Sequence, residues 1–532
     1  MIQKSATPAG LLLLLGLFAL MGSFSAANKN STFDETLYIA SGYHEWQTWD
    51  FRMCPEHPPL VRLFATWPLC LSHLNLPTSS EWESTSRMQS AIHFLYQDNS
   101  ASQILIRCRL MMILLGMAAG LLVFAAAHEF FGAKAAWGAL VCYVFSPNIL
   151  AHTRLVTYDV AVSAFVLAVI VLLWKGSQNW TPGRILLLGL SFTGLILSKF
   201  SSLLALPPIL VLIIFLVARK KPASLEAHFG NRHWRRDYSS IPGKISFFSL
   251  ILLISGLCLV VGIWIVYGVH YDSIPDEAVT YRNWKHFSAP FIVEQTIAFA
   301  SRFRLLPEAF LLGLRDTLRK GTTETPTFFL GQVRTHGHPL YFTAAMFWKT
   351  PPAILLLSLA GLIALIKKRP GMPLLLFFAL PPLFWLIHFS LFTNFQLGLR
   401  YILPVYLFLF CLAGYGAAQL WHSFSGRIAA GILMVSLLIS SISAYPDYLA
   451  YFNSLTFGAR PLDLLSDSNL DWGQDLKSLA RLQAEGKLGQ EPVGLAYFGT
   501  ADPNYYHLQY RKLPVPLHYY SSGTKPVGLF EP

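Results

Sequence analysis

Two adjacent carboxylates, Asp34 and Glu35, follow the first apolar segment of the chain, which covers residues 9–27. Carboxylates close to hydrocarbon are costly unless they are hydrated, paired or used. An ionised aspartate can accept the proton of a hydroxyl group, and a positioned base contributes roughly 10²–10⁴-fold to a reaction rate. The sequence therefore predicts that Asp34 is a catalytic base.

Three basic residues stand at ends or turns of later apolar segments. Lys199 ends one segment, Arg400 opens another, and Arg154 lies in a short turn between two more. For each residue alone, the simplest interpretation is a side chain that extends from a helix end to the lipid headgroups. The alternation of spans described below places all three on the same side as Asp34, which favours one shared polar site.

A carboxylate and several cations on one face suit the transfer of a sugar carried on a lipid phosphate. Displacement at the anomeric carbon passes through an oxocarbenium-like transition state. A glycoside needs a second carboxyl group to protonate its leaving alcohol, whereas a phosphate needs only stabilisation of its charge, which Lys and Arg supply. One aspartate and a set of cations meet this requirement, and orientation of the substrates supplies much of the remaining acceleration.

The composition places the chain in the polytopic membrane class. Charged residues make up only 13% of the 532 residues, whereas a soluble domain carries about a quarter. The net charge of +12 is assigned to membrane topology and not to nucleic-acid binding. Cys54 and Cys70 share one loop and would be able to pair in an oxidising compartment.

The apolar runs predict a mainly α protein with about eleven membrane spans, because a bilayer core needs about 20 apolar residues per helix. The spans lie near residues 9–27, 105–127, 135–151, 157–174, 183–200, 201–218, 245–268, 346–366, 372–393, 401–421 and 427–444. A removed signal peptide is the alternative interpretation of the first run. With the N-terminus in the cytoplasm, Lys and Arg collect in the inside segments, and the C-terminal segment lies outside.

Three long segments then fall on the extracytoplasmic side. Residues 28–104 carry the acidic pair and an amphipathic stretch at 86–96 that suits the membrane interface. Residues 269–345 are mixed polar and aromatic. Residues 445–532 combine a helical with a strand-like pattern and are predicted to form a small α/β domain, after a transmembrane catalytic module of residues 1–444.

Short motifs occur in a fixed order along most of the chain. They are Asp34-Glu35, His-Pro-Pro-Leu at 57–60, Leu-Ser-Lys-Phe-Ser at 197–201, Lys-Thr-Pro at 349–351, Gly-Leu-Arg-Tyr-Ile-Leu-Pro at 398–404, Tyr-Phe-Asn at 451–453 and Asp-Ser-Asn-Leu-Asp-Trp-Gly-Gln-Asp at 467–475. Each motif alone is weak. The ordered set resembles the GT-C, protein-mannosyltransferase-like membrane glycosyltransferases of glycosyltransferase family 39, and the last run is similar to one found in bacterial members.

The resemblance implies a polyprenyl-phosphate sugar donor and inverting transfer on the outer side of a bacterial inner membrane. It implies that Asp34 is the base and that Glu35 supports it or contacts the acceptor. Lys199, Arg400 and Arg154 would bind the donor phosphate. The sugar, of the hexose, mannose or aminoarabinose type, and the acceptor, a protein, lipid or glycan, stay open. The residues implied to line the donor and acceptor cavity are His57, Asp159, Tyr401, Asn469, Asp471 and Trp472.

Several of these cavity residues have alternative interpretations. The run at 467–475 offers closely spaced oxygen ligands for a hard cation such as Ca²⁺, but it lacks the glycine and distal glutamate of an EF-hand loop, and no metal site is predicted. Asn469 and Asp471 are alternatively caps of the following helix, with Trp472 as a stacking platform for a sugar. His57 is alternatively a residue at a helix start, fixed by the prolines that follow it.

Two other function classes stay open. A transporter or flippase for a lipid-linked sugar would need polar residues along its spans. Here the unusual charges cluster at one face, with Arg107 and Arg109 as the main exceptions. A non-catalytic scaffold would keep the architecture without turnover. Donor uptake into vesicles without sugar transfer would favour the transporter, and an absence of affinity for prenyl-phosphate sugars would favour the scaffold.

Overall fold

The computed structural model describes residues 8–76, 86–230, 232–271, 291–320, 325–489 and 491–513. Within these ranges the protein is mainly α, with 69% of the described residues in helices and only short paired strands among them. The predicted fold class is therefore confirmed.

The first half of the described chain contains one long N-terminal helix, several short helices and then a series of apolar helices. In chain order these are α1 (Pro8–Ala27), α2 (Phe33–Thr48), α3 (Leu60–Thr66), α4 (Arg87–Tyr96), α5 (Ala101–Phe131), α6 (Ala133–Val144), α7 (Pro147–Thr153), α8 (Asp159–Gly176), α9 (Pro182–Ser198) and α10 (Leu206–Ala218). Asp34 and Glu35 lie in the first turn of α2, where free backbone N–H groups favour carboxylates. The amphipathic stretch predicted at 86–96 is α4, and the Ser86 hydroxyl caps its first turn.

The second half continues with further helices, which are joined by loops and short strands. In order these are α11 (Ile241–Val266), α12 (Phe291–Arg302), α13 (Glu308–Lys320), α14 (Tyr341–Lys349), α15 (Pro352–Lys368), α16 (Met372–Leu391), α17 (Leu403–Leu420), α18 (Phe424–Ser443), α19 (Pro461–Leu464) and α20 (Leu476–Ala484). The strands of the described chain form the antiparallel pairs β1 (Ala223–Phe229) with β2 (Arg232–Tyr238) and β3 (Thr327–Phe329) with β4 (Gln332–Arg334), and the parallel pair β5 (Val493–Leu495) with β6 (Tyr510–Lys512). The α/β pattern predicted near the C-terminus corresponds to α20, β5 and β6.

Eight helices within the described residues are long and apolar enough to cross a membrane, and a ninth span results if α14 and α15 count as one. The predicted number of eleven is not confirmed, although a helix forms at each predicted position. One reason is length: α6 has 12 residues, which cover about 18 Å of a hydrocarbon core of about 30 Å. A second reason is shape, because α14 and α15 are bent by 112°.

Helix α17 lies at the centre of the bundle and packs against α6, α8 and α15. A Cβ atom at Gly414 would lie 2.2 Å from the carbonyl oxygen of Ala135, so glycine is required for α6 and α17 to approach this closely. The 3₁₀ turn Leu399–Ile402 leads directly into α17. Because α17 is packed tightly among its neighbours, the position of Arg400 in the turn before it is also fixed.

The C-terminal segment is held against the connection between α1 and α2. The Lys29 ammonium forms ion pairs with Asp447 and with Asp475. The domain boundary between residues 444 and 445 stays a proposal, and the described part of the segment after it is bound tightly to the start of the chain.

Cys54 and Cys70 are both free thiols. Cys54 is buried and Cys70 is exposed. Burial raises the pKa of the Cys54 thiol to about 12, so this group is protonated and unreactive at neutral pH.

Candidate active site

Asp34 and Arg400 form an ion pair that joins the first turn of α2 to the turn before α17. Arg400 Nη1 donates to Asp34 Oδ2 at 2.9 Å, and the two side chains are 10% and 21% exposed, respectively. Asp34 sits in the first turn of α2, whereas Arg400 sits in the turn before α17. The structure thus brings the predicted base and one predicted cation together at a partly exposed position.

A second ion pair lies in the pocket that Arg400 also lines. Lys199 Nζ donates to Asp159 Oδ1 at 2.8 Å, and the same ammonium lies 4.9 Å from the centre of the Tyr401 ring. Asp159 is the first residue of α8, and Lys199 directly follows α9. The polar and aromatic residues that line this pocket are Asp159, Lys199, Ser201, Trp385, Phe389, Arg400 and Tyr401.

Both cations of this pocket keep N–H donors that no group in the described part of the chain accepts. Arg400 Nε is buried and has no hydrogen-bond partner among the residues that the structure describes. The Lys199 ammonium carries three protons, and Asp159 is the acceptor of one. Free donors on two adjacent cations suit an anion with several oxygens, such as a phosphate.

Glu35 points away from this pocket and is fully buried. Its carboxylate accepts from Arg109 Nη2 at 2.7 Å and from Arg109 Nε at 3.0 Å. Backbone N–H groups of Thr32 and Val156 bind the same oxygens. Burial raises the pKa of Glu35, but the charge and hydrogen bonds of Arg109 outweigh burial and hold the pKa below its ordinary value. With no exposed oxygen for an acceptor, Glu35 is in a position to support the loop that carries Asp34.

Trp472 lies beneath Arg400 and not on the surface of the pocket. Its ring centre is 4.1 Å from the Arg400 guanidinium carbon, and the residue is 2% exposed. A sugar that stacks on Trp472 would need an exposed aromatic face. Because the indole is buried against Arg400, the structure does not support the predicted stacking platform. The ring instead binds a cation.

Asn469 and Asp471 are engaged in the turns around Trp472. Asn469 Oδ1 accepts from Leu399 N at 2.9 Å, and Asp471 Oδ1 accepts from Gly473 N at 2.9 Å. The helix that follows begins after Asp475. The capping interpretation of Asn469 and Asp471 is therefore wrong, because both side chains serve the loop that precedes the helix.

Arg154 is fully buried and does not line the pocket of Lys199 and Arg400. Its three guanidinium nitrogens have no hydrogen-bond partner within the described part of the chain. Burial, together with the nearby charge of Arg109, lowers the pKa of Arg154 to about 10, so the side chain stays protonated at neutral pH. The structure therefore separates Arg154 from the other two predicted phosphate ligands.

His57 is enclosed by two tyrosine rings beside the pocket. Its ring centre lies 4.5 Å from that of Tyr158 and 5.8 Å from that of Tyr38. Burial lowers the pKa of His57 to about 3, and the nearby charge of Lys199 acts in the same direction. His57 is therefore neutral at physiological pH and is not a proton donor to a leaving group there.

The depressed pKa of His57 predicts a pH dependence of stability. The unfolded residue titrates near 6.5 and the folded one near 3, so the unfolded chain binds more protons between these values, and stability falls as the pH falls through 6.5. We expect His57→Gln to weaken this dependence, by at most about 1.4 kcal/mol per pH unit. The check is the melting temperature in detergent between pH 4.5 and 6.5, with the exposed His422→Gln as control. The same pH dependence in the wild type and in His57→Gln would contradict a buried neutral ring.

One segment in the first half of the chain matches a known protein family. Residues 100–229 match the family model of dolichyl-phosphate-mannose-protein mannosyltransferases. The resemblance to these glycosyltransferases is thereby confirmed. The mannosyltransferase-like segment includes Asp159 and Lys199, whereas Asp34 and Arg400 lie outside it. The match supports a membrane glycosyltransferase of the GT-C type, embedded in the bilayer by its apolar helices.

Several solved structures show a distant likeness to the chain. ArnT from Cupriavidus metallidurans bound to undecaprenyl phosphate has 14% sequence identity and a TM-score of 0.48, over 97% of this chain and 87% of that chain. The oligosaccharyltransferase AglB from Archaeoglobus fulgidus has 14% identity and a TM-score of 0.46, over 98% and 62% of the two chains. The Pmt1-Pmt2 complex of S. cerevisiae has 12% identity and a TM-score of 0.33, over 62% and 40%. No curated protein matches the chain.

Proposed function

We propose that the protein transfers a sugar from a polyprenyl-phosphate donor to an acceptor hydroxyl, with inversion at the anomeric carbon. We place the reaction at the extracytoplasmic face of a bacterial inner membrane. One observation carries the proposal: the Asp34–Arg400 pair adjoins a pocket in which Lys199 and Arg400 both have unused donors.

The phosphate of the donor binds between Lys199 and Arg400. Charge-assisted hydrogen bonds from a guanidinium and an ammonium are short and strong, and they become stronger as the bond to the sugar breaks and charge develops on the phosphate. The remaining N–H groups of Arg400 can donate to the phosphate while Nη1 stays on Asp34. Asp34 is thereby held beside the bound donor, where its second carboxylate oxygen accepts the proton of the acceptor hydroxyl.

Asp34 takes the proton of the acceptor hydroxyl in the same step. The acceptor oxygen bonds to the anomeric carbon from the face opposite the phosphate, the carbon–oxygen bond to the phosphate breaks, and the phosphate leaves with the electron pair. One displacement of this kind inverts the anomeric centre. Since the phosphate needs no proton to leave, a second acid is not required, in keeping with the neutral state of His57.

An apolar cavity of about 460 Å³ provides space for the prenyl chain of the donor. It lies between α8, α9, α10 and α11, with Val169 and Phe192 in its wall. Phe192 precedes Lys199 by seven residues, and Val169 follows the pocket residue Val162 by seven, which is about 10 Å along either helix. A lipid whose phosphate lies at Lys199 can therefore extend along α8 and α9 into this cavity.

The proposed phosphate site is tested with a charge-neutral double variant. Removal of Lys199 alone would leave a buried Asp159 carboxylate unpaired, so we choose Lys199→Gln combined with Asp159→Asn. Hydrogen bonds to charged groups contribute about 1.5–3 kcal/mol each, so we expect this variant to bind undecaprenyl phosphate roughly 10- to 100-fold more weakly. Its affinity for undecaprenol, which lacks the phosphate, should not change.

Native mass spectrometry in detergent measures both affinities. The matched control is Lys175→Gln combined with Glu129→Gln, an ion pair of 3.3 Å with partly exposed side chains, which should bind both lipids as the wild type does. Equal affinity of the wild type for the phosphate and the alcohol would contradict the phosphate site. Glycolipids and glycoproteins from cells with and without the gene would then identify the sugar and the acceptor.

A further inference from the structure

We propose that Trp472 is a positioning residue that holds the Asp34–Arg400 pair in its reactive geometry. It acts through Arg400 and does not touch the sugar. The assignment rests on the proposed function and gives a role to the run at 467–475, which the transfer step itself does not use.

The indole ring of Trp472 fixes the plane of the Arg400 guanidinium. The guanidinium carbon lies 4.1 Å from the Trp472 ring centre and 5.3 Å from the Tyr401 ring centre. A guanidinium against an indole face gains cation–π attraction, which increases where both groups are removed from water. With its plane fixed in this way, Arg400 directs Nη1 to Asp34 and leaves Nε without a partner among the described residues.

The backbone of Trp472 contacts the other partner of the pair. Phe33 N donates to the Trp472 carbonyl oxygen at 2.8 Å, and Phe33 directly precedes Asp34. The Trp472 N–H in turn donates to Gln474 Oε1 at 2.7 Å, which holds the peptide in place. Trp472 therefore contacts Arg400 through its ring. Through its backbone it binds Phe33, the residue before Asp34.

The run that carries Trp472 is itself anchored beside Arg400. Asn469 Oδ1 accepts from the N–H of Leu399, and the Lys349 ammonium donates to the Asn469 carbonyl oxygen. A Cβ atom at Gly398, which has a φ of +153°, would lie 2.0 Å from Ser468 Oγ. Only glycine permits this approach, so the chain that leads to Arg400 lies directly against the run.

Loss of the indole should therefore affect both substrate binding and turnover. Without the ring, the guanidinium of Arg400 samples more orientations, so the phosphate loses a preorganised donor and Asp34 loses its partner. We expect Trp472→Leu to weaken binding of undecaprenyl phosphate about 10- to 50-fold, with a higher KM for donor and a lower kcat. Trp472→Phe keeps an aromatic face and should remain within about threefold of the wild type.

A double-mutant cycle separates positioning from a general loss of structure. Undecaprenyl-phosphate affinity is measured for the wild type, Trp472→Leu, Arg400→Gln and the double variant, and melting temperatures are recorded for each. If Trp472 acts through Arg400, Trp472→Leu has little further effect once Arg400 is replaced. The control is Trp421→Leu, the same change at an exposed tryptophan, which should leave binding unchanged.

The outcomes distinguish this assignment from the function on which it rests. An equal loss of affinity from Trp472→Leu in the presence and absence of Arg400 would overturn the positioning role. So would a Trp472→Phe variant as impaired as Trp472→Leu while its melting temperature matches the wild type. If the wild type itself showed no preference for the phosphate over undecaprenol, the proposed function would fail first.

Discussion

Replacing Asp34 with Asn is expected to lower the turnover number by roughly 10²–10⁴-fold, because an amide cannot accept the proton of the acceptor hydroxyl. The substitution keeps the shape of the side chain. The Asn oxygen can still accept from Arg400, which donates to Asp34 at 2.9 Å. Donor binding should therefore change little, and the loss should appear in kcat and not in the affinity for undecaprenyl phosphate.

Single-turnover transfer from a polyprenyl-phosphate sugar, measured beside donor binding, separates the two effects. Asp463→Asn is the matched control, because Asp463 makes an exposed ion pair with Arg460 and should have full activity when changed. Asp34→Glu keeps a base at a shifted position and should retain part of the rate. Full activity in Asp34→Asn would remove this carboxylate from the mechanism.

The meeting of Asp34 with Arg400 was predictable from the sequence because membrane topology limits where helix ends lie. Asp34 follows the first apolar run and Arg400 opens a late one, and the positive-inside rule assigns both ends to one face. Charged side chains at helix ends on one face of a compact bundle are within reach of each other. The same argument placed Lys199 and Arg154 on this face. It could not identify Asp159 as the partner of Lys199, nor show that Arg154 lies outside the pocket.

The roles of neighbouring residues were harder to predict, as Asp34 and Glu35 show. Successive residues of a helix point about 100° apart, so a pair adjacent in sequence faces different parts of the fold. In α2, Asp34 points to Arg400, whereas Glu35 points to Arg109 of α5. Arg109 stood out in the sequence as an unusual charge, but no local pattern links it to a carboxylate 74 positions earlier.

Trp472 and α6 show two further limits of the sequence. Aromatic rings stack on sugars and also bind cations, so the residue type at position 472 does not reveal which of the two the Trp472 ring contacts.

A run of apolar residues likewise fits a short helix buried among other helices as well as it fits a membrane span. Helix α6 is of the first kind, since it packs closely on the central helix α17 and is too short to span.

Replacing Glu35 with Gln is expected to lower the stability of the folded protein by about 3–5 kcal/mol, because it leaves the Arg109 charge unpaired in a fully buried position. Arg109 also donates to the carbonyl oxygens of Ala26, Lys29 and Asn30. The Glu35–Arg109 pair thus fixes the turn between α1 and α2 that leads to Asp34. We expect a large fall in melting temperature, with the activity of the remaining folded protein reduced much less than in Asp34→Asn.

The matched control for this change is Glu129→Gln, which breaks the partly exposed pair with Lys175 and should cost less than about 1 kcal/mol. Because the pKa of Glu35 is held below its ordinary value, its contribution is present at neutral pH and is lost as the pH falls. The difference in melting temperature between wild type and Glu35→Gln should therefore shrink in acid. If Glu35→Gln instead melted like the wild type and had lost transfer, Glu35 would act on the substrate, and the acidic pair would function together.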